Sequence, residues 1–220
     1  MELSISNANL KNPTAISSFT EGQRKAYIEL IDWINAAYNP NDNKRALIGP
    51  AGTGKTYLVR ALITNSNLSY STIGVAAPTH KACRVLQESI NLPNIKASTL
   101  QSDLGLRLNF DVDKFDINNP PFDPKGRIKI DKYKIYIVDE SSMINKGLCT
   151  FLEKICKSKE CKLLYIGDSY QLPPVNEYKS MAFEGIRKHE LTEIVRQEED
   201  NPVLSLLNIL RDDIKNNKNN

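Results

Sequence analysis

The segment GPAGTGKT at positions 49–56 constrains the fold of this chain more than any other stretch. It follows an apolar run, RALIG at 45–49, and opens an amphipathic run, GKTYLVRALITN at 54–65. A glycine-rich turn between a buried strand and a helix gathers main-chain N–H groups and a helix N-terminus around one point, where they bind phosphate oxygens. The spacing G-x-x-x-x-G-K-[ST] in this context therefore predicts a nucleotide site.

The side chains that follow the last glycine of this segment carry its chemistry. Lys55 is expected to reach the β and γ phosphates of ATP, and the Thr56 hydroxyl is expected to bind Mg²⁺. The other predicted members of the nucleotide site contribute main-chain groups: Gly49, Pro50, Ala51, Gly52, Thr53 and Gly54. A glycine-rich turn with an incidental lysine is the alternative, which the flanking strand and helix disfavour.

Three further apolar runs have the pattern of strands buried on both faces. They are STIGVAAPT at 71–79, YKIYIVDE at 133–140 and KLLYIGD at 162–168. Helical patterns alternate with them at 21–38, 80–90, 145–159 and 201–215. This order predicts the α/β class, with a parallel sheet flanked by helices and ligands at the carboxyl ends of its strands.

The stretch 106–130 interrupts the alternation of strands and helices. Its runs RLNFDV and RIKI, separated by proline, asparagine and aspartate residues, predict a small β-hairpin-like insertion, with a disordered loop as the alternative. We therefore expect an N-terminal extension at 1–18, a first domain part at 19–105, a second part at 131–215 and a polar tail at 216–220.

Polar side chains end two of the predicted strands and complete the candidate site. Asp139 is predicted to hold the metal, and Glu140, pointing in another direction, is predicted to polarise the attacking water. Gln171 in GDSYQLPPV is expected to bond the γ phosphate or its water, with simple turn chemistry as the alternative.

The composition excludes some classes of protein and leaves others open. A net charge of +3 is too mild to prove or exclude a nucleic-acid partner. Four cysteines without a CxxC pair and two histidines suggest neither a zinc site nor a disulfide framework. No apolar run approaches the ~20 residues of a membrane span, and the start lacks the order of a signal peptide, so we expect a cytoplasmic protein without a membrane partner.

Seven segments resemble, in the family's order, the motifs of superfamily 1B DNA helicases, the RecD-like group and especially its compact Dda type. They are FTEGQRKAY, GPAGTGKT, APTHKA, STLQS, VDESSM, GDSYQLPPV and LTEIVRQ. The resemblance runs from Phe19 to about Arg211 and implies the N-terminal, RecA-like motor domain of an ATP-dependent helicase that moves 5′ to 3′. It also implies that Gln23 reads the adenine edge and that Arg196 contacts the γ phosphate.

The same resemblance implies a site for single-stranded DNA. Pro78, Thr79 and His80 in APTHKA would hold the DNA backbone, as would Ser98 and Thr99 in STLQS. Hydroxyls, main-chain N–H groups and helix N-termini bind phosphates without reading sequence. The insertion lies where the family carries its strand-separating pin, so duplex junctions are expected as substrates.

Two features of this chain depart from the family pattern: one residue of the DNA-binding segment, and the length of chain after the last motif. Gln101 stands where family members commonly have a histidine. After LTEIVRQ the chain has one predicted helix and the polar tail, so we expect a fragment without the second RecA-like domain and with poor activity alone. Replication or recombination proteins are partners that the resemblance allows.

Two alternatives to a helicase motor domain remain. They are a nucleotide-dependent DNA- or protein-binding module without unwinding activity, and a P-loop kinase.

Overall fold

The structure is a computed structural model that describes residues 14–108, 122–124, 126–171, 174 and 177–195. The helices are α1 Thr14–Ser17, α2 Glu21–Asn35, α3 Lys55–Asn65, α4 His80–Ile90, α5 Leu100–Asp103 and α6 Lys146–Ser158. The strands are β1 Lys44–Ile48, β2 Ile73–Ala77, β3 Ala97–Thr99, β4 Leu106–Leu108, β5 Phe122–Pro124, β6 Ile135–Val138, β7 Lys162–Gly167 and β8 Arg187–Glu190. Short 3₁₀ turns occupy Tyr70–Thr72, Ile130–Lys132, Ser141–Met143 and Met181–Phe183.

Six of the strands form one parallel sheet in the order β3-β2-β6-β7-β1-β8. The four predicted strands are its β1, β2, β6 and β7, and the sheet is flanked by helices as expected. The predicted α/β fold is therefore confirmed. Because all six strands run the same way, the loops that follow them gather at one edge.

The two faces of the sheet bury separate apolar clusters, because successive side chains along a strand point to opposite sides. Val75, Ile137 and Leu164 belong to the cluster beneath α2, α3 and α4. Tyr136 and Tyr165, on the neighbouring positions of β6 and β7, belong to the cluster that includes α6 residues. This coverage of both faces explains why the central strands are continuous apolar runs.

Several helices begin at residues that cap their first turn. Thr20 and Gln23 form a capping box at α2, and Thr79 and Asn145 accept main-chain N–H bonds at α4 and α6. Helix α3 instead begins directly after Gly54, which has φ +76°. None of the helices that the structure describes is both long and apolar enough to cross a membrane.

The insertion is a two-stranded antiparallel ribbon, but its second strand was wrongly predicted. β4 pairs with β5 at 122–124, with Leu106 opposite Pro124, and not with RIKI at 127–130. Ile130 is instead buried in the second apolar cluster and starts a 3₁₀ turn. The alternation of apolar and polar residues in RIKI therefore reflects isoleucines that pack a loop onto the core, and not a strand. The predicted helix at 201–215 lies outside the described residues.

Candidate functional site

A cleft of about 480 Å³ lies at the carboxyl edge of the sheet, where the loops after β1, β6, β7 and β8 meet. Most of the side chains predicted for the nucleotide site line it. The lining residues are Gln23, Ala51, Gly52, Gly54, Lys55, Thr56, Tyr57, Val85, Ser89, Asp139, Glu140, Gly167, Asp168, Gln171 and Val195.

The P-loop, residues 49–56, closes around one end of the cleft because two of its glycines adopt conformations that other residues avoid. Gly52 has φ +84° and Gly54 has φ +76°. A Cβ on Gly54 would lie 2.5 Å from Nε2 of Gln23. Lys55 Nζ donates to the carbonyl oxygens of Gly49 and Pro50, at 2.7 and 2.8 Å, and so sits across the mouth of the loop.

Three predicted members of the nucleotide site do not line the cleft and instead hold the loop in shape. Thr53 is fully buried, and its hydroxyl donates to the carbonyl of Pro50 at 2.9 Å. Gly49 packs so closely against the Leu191 carbonyl that any Cβ would collide with it. Its N–H donates to the carbonyl of Gly167, which ties the P-loop to the end of β7.

Gln23 braces the P-loop from helix α2. Its Nε2 donates to the carbonyl of Thr53 at 2.9 Å, and its Oε1 accepts from the N–H of Thr20 at 3.1 Å. The side chain is 2% exposed at the wall of the cleft. Since a primary amide has two donor hydrogens and two acceptor lone pairs, one of each remains for a ligand.

Asp139 and Glu140 follow β6 and both line the cleft. Burial raises the pKa of the Asp139 carboxyl to about 6; the N–H of Glu140 opposes this rise, the Glu140 charge adds to it and Lys55 opposes it. A partly buried carboxylate and a threonine hydroxyl that line the same cleft are a donor set that suits a hard cation. Asp139 and Thr56 therefore fit Mg²⁺.

Glu140 adopts a left-handed backbone conformation, with φ 52° and ψ 38°. Residues other than glycine pay for this conformation, and such strain concentrates at functional sites. The turn is held by the Glu140 N–H, which donates to Asp139 Oδ1 at 2.9 Å, and by the Met143 N–H, which donates to the Glu140 carbonyl. The Asp139 carboxylate is thus held against the main chain of Glu140.

Gln171 joins the loops that follow β6 and β7. Its Oε1 accepts from the Ser142 hydroxyl at 3.3 Å, and its N–H donates to the Asp168 carbonyl at 3.2 Å. The Asp168 side chain accepts from the N–H of Tyr170 and closes the turn. Gln171 is therefore both a turn residue and a member of the cleft wall.

The segment after β8 runs alongside the P-loop. Leu191 N–H donates to the Ile48 carbonyl at 2.8 Å, and Val195 N–H donates to the Gly52 carbonyl at 2.9 Å. Val195 lines the cleft. Arg196, predicted to contact the γ phosphate, is the next residue and lies outside the described residues.

The predicted DNA-binding residues lie on the neighbouring loops of the same sheet edge. Thr79 follows β2 and Thr99 ends β3, and these two strands pair with Ala77 opposite Thr99. Both threonine hydroxyls cap helices, accepting from the N–H of Ala82 at 3.1 Å and of Ser102 at 3.3 Å. Thr79 is exposed, whereas Thr99 is buried, at 9% exposure. Because a hydroxyl that accepts still has its proton, each keeps one hydrogen to donate.

The other three predicted DNA contacts differ in their exposure. His80 is exposed at the start of α4, and Pro78 is half-buried beside it. Ser98 is half-buried, and its hydroxyl donates to the buried carboxylate of Asp103. The Ser98 proton is thus directed into the protein.

Sequence reasoning missed three residues that line the cleft from its helices. Tyr57 follows the P-loop threonine, so its position next to the motif could have indicated it. Val85 and Ser89 lie one turn apart on exposed positions of α4. A valine and a serine there have no chemical signature that a sequence could reveal.

The parallel sheet, the P-loop and the acid pair define a P-loop NTPase. The chain belongs to the AAA domain family, whose family model matches residues 20–218. The predicted resemblance to RecD-like superfamily 1B helicases is confirmed by this family match and by the relatives of this chain, which include a RecD2 DNA helicase.

The relatives differ in how much of each chain is shared. Protein R530 of Acanthamoeba polyphaga mimivirus is 32% identical over 69% of this chain and 33% of its own length. The ATP-dependent RecD2 DNA helicase of Deinococcus radiodurans is 28% identical over 72% of this chain and 20% of its own. This chain thus spans a third or less of these relatives.

A solved structure supports the fold. The Pif1 helicase from Bacteroides superposes with a TM-score of 0.56 over 87% of this chain and 46% of its own, at 24% sequence identity. This likeness supports the P-loop NTPase fold.

Proposed function

We propose that this chain is the motor domain of an ATP-dependent DNA helicase, which hydrolyses MgATP in the cleft and holds single-stranded DNA on the neighbouring loops. One observation carries the proposal: the P-loop and acid pair share a sheet edge with two threonine-capped helices. The membership in the AAA domain family and the RecD2 relative, which is itself an ATP-dependent DNA helicase, support it.

The nucleotide end of the site divides into binding and reacting groups. Lys55 would exchange the carbonyls of Gly49 and Pro50 for the β and γ phosphate oxygens. Thr56 and Asp139 would hold Mg²⁺, which when bound neutralises charge on the phosphate oxygens.

The attacking water would be handled by the loops after β6 and β7. Glu140, fixed by its strained turn, would take the proton of the water. Gln171, held by Ser142, would orient the water or the γ phosphate. Arg196 would supply positive charge to the γ phosphate.

The DNA end would bind the backbone through Thr79 and Thr99, whose hydroxyl protons are free of the bonds by which they cap α4 and α5. Lys81 and Arg84 are exposed on α4 and add positive charge beside Thr79. Binding through phosphates is independent of base sequence and weakens as salt rises. Movement from 5′ to 3′ follows by resemblance.

Phosphate release from ATP, measured with and without single-stranded DNA, tests the proposal. We expect slow release that single strands accelerate, and none above background for Lys55→Ala. Phosphate release that is the same with and without single-stranded DNA would contradict a DNA motor. A phosphorylated acceptor in place of free phosphate would favour a kinase. Nucleotide and DNA binding without any release would favour a binding module.

A further inference from the structure

Asp103 is a buried acid that is hydrogen-bonded to Ser98, at the end of β3 to which we assign DNA binding. It ends the short helix α5, four residues after Thr99, and is 1% exposed. A carboxylate in such a place is costly unless donors and positive charge surround it. Its presence therefore needs an explanation beyond packing.

The Asp103 carboxylate gathers donors from three parts of the chain. Oδ2 accepts from the Ser98 hydroxyl of β3 and, at 2.9 Å, from the Tyr136 hydroxyl of β6. Lys129 Nζ lies 3.7 Å from Oδ1. Three parts of the chain thus meet at one carboxylate: strand β3, strand β6, which leads to Asp139, and the C-terminal end of the insertion.

Tyr136 is fixed in place beneath this carboxylate. It is fully buried, and on the neighbouring strand it pairs in register with Gly74, where any Cβ would collide with the tyrosine ring. Burial and the nearby Asp103 charge raise the pKa of the Tyr136 phenol well above its ordinary value, so its hydroxyl remains a donor. Tyr136 itself cannot touch a ligand.

The C-terminal end of the insertion is fastened to helix α5 and to Gly105, the residue that precedes the insertion. Lys129 N–H donates to the Asp103 carbonyl at 2.9 Å, and its Nζ donates to the Ser102 hydroxyl at 2.9 Å. Gly126 N–H donates to the Gly105 carbonyl at 2.8 Å. Gly105 has φ +66°, and a Cβ there would lie 2.5 Å from the Gly126 carbonyl oxygen, so the two main chains touch.

We propose that Asp103 is a positioning residue for DNA binding, which holds the Ser98–Thr99 end of β3 and the base of the insertion to Tyr136 of β6 as one unit. Ser98 then serves through its bond to Asp103 and not as a phosphate donor, because its single hydroxyl proton is already used. Thr99, at 9% exposure, then remains the hydroxyl of this segment that can donate to DNA, together with Thr79 of the neighbouring segment. The inference rests on the proposed function, since it concerns the same DNA-binding segment.

The test measures the affinity of the 220-residue chain for a fluorescent oligothymidylate at low salt, alongside its affinity for a fluorescent ATP analogue. Asp103→Asn should weaken DNA binding about tenfold, the loss of roughly one charge-assisted hydrogen bond, and leave ATP affinity unchanged. The direction of this change in DNA affinity is informative, because the removal of a negative charge would by electrostatics alone strengthen DNA binding. Asp131→Asn, an exposed acid next to the insertion, is the matched control and should bind DNA at least as well as wild type.

Tyr136→Phe gives a second reading that does not depend on replacing the carboxylate. It removes one buried hydroxyl that cannot contact DNA, so any loss of DNA affinity must pass through Asp103. We expect a loss of a few fold. Ser98→Ala combined with Asp103→Asn should lose no more than Asp103→Asn alone, because the two groups act as a pair.

The outcomes separate this inference from the proposed function. Folded Asp103→Asn or Tyr136→Phe chains that bind DNA like wild type would overturn the inference alone. Additive losses in the Ser98 and Asp103 double variant would also overturn it, because Ser98 would then bind phosphate directly. A wild-type chain that binds no DNA even at low salt would contradict both.

Discussion

The side-chain amide of Gln23 donates a hydrogen bond of 2.9 Å to the main-chain carbonyl of Thr53, inside the P-loop. The same amide accepts from the N–H of Thr20 and closes the capping box of α2. One side chain thus joins the start of a helix to the loop that we assign to phosphate binding. The contact makes the loop's shape depend on a residue thirty positions earlier.

Gln23→Ala should both destabilise the chain and weaken ATP binding. Loss of the capping box and of a partner for the Thr53 carbonyl should cost about 1–3 kcal/mol in free energy of unfolding. Urea denaturation and titration with a fluorescent ATP analogue measure the two effects.

Gln87→Ala is the matched control for Gln23→Ala. Gln87 also makes a pair of side-chain bonds to the main chain, donating to the Ile95 carbonyl at 2.9 Å and accepting from the Ala97 N–H at 2.8 Å, but it does not line the cleft. It should lose similar stability and keep ATP affinity. Equal losses of ATP affinity in both variants would show that Gln23 acts through general stability alone.

Glu140→Gly should abolish ATP hydrolysis without destabilising the chain. Relief of the left-handed conformation at a non-glycine residue is worth about 1 kcal/mol, which offsets the greater entropy of glycine in the unfolded state. Glu160 has a similar φ of 50° after α6, so Glu160→Gly should match its stability and keep wild-type hydrolysis. A Glu140→Gly chain with normal turnover would remove Glu140 as the base.

Lys162→Met should cost about 2–3 kcal/mol in free energy of unfolding. The buried Lys162 ammonium donates to the carbonyls of Trp33 and Ile34, at 2.5 and 3.1 Å, and to that of Ala36, at the end of α2. Without it these carbonyls lose a partner and the helix loses a favourable charge at its C-terminus.

Lys44→Met is the control for Lys162→Met in urea denaturation. Lys44 pairs with Glu153 at 2.6 Å near the surface, so its loss should cost no more than about 1 kcal/mol. Equal costs for the two lysines would contradict the capping role of Lys162.

Protonation of His189 should lower the stability of the chain as the pH drops from about 6.5 towards 4, a decline that the raised pKa of Asp139, which favours the folded chain at lower pH, opposes. Burial lowers the pKa of the His189 imidazole to about 4, which the nearby Glu29 carboxylate opposes and Arg45 and Arg187 reinforce. At His189 the unfolded chain therefore binds more protons in this window, and this protonation favours unfolding by as much as about 3 kcal/mol.

Comparison of variants separates the contribution of His189 to the pH dependence of stability from that of other titrating groups. His189→Gln should flatten the decline in free energy of unfolding between pH 6.5 and 4.5, measured by denaturation at each pH. The exposed His80 provides the control, and His80→Gln should keep the wild-type decline. A decline that persists unchanged in His189→Gln would show that the buried imidazole is not its source.

The sequence predicts the central sheet well and its edges poorly, for physical reasons. β1, β2, β6 and β7 are covered on both faces, so each is an apolar run that stands out. β3 has three residues, and β8 reads RKHE with only His189 buried, so neither carries that signal. Both are recognisable only through the strands that they pair with.

The candidate site divides in the same way. The P-loop, Asp139 and Glu140 carry chemistry in their residue types and spacing, and the structure brings them into one cleft. The role of Thr53 in holding the loop, and of Asp103 beneath Ser98, depends on contacts between distant segments. Such contacts leave no local pattern.

The dependence of single-stranded DNA affinity on ATP tests the central claim most directly. Glu140→Gln should bind ATP and cleave it about 10² to 10⁴ times more slowly, so affinities can be measured with ATP in place. We predict that ATP changes the DNA dissociation constant by several fold, and that DNA changes the ATP dissociation constant by the same factor. Glu140→Gln combined with Lys55→Ala should show no change. Identical DNA affinities with and without ATP in Glu140→Gln would contradict a motor domain whose nucleotide cleft and DNA loops act together.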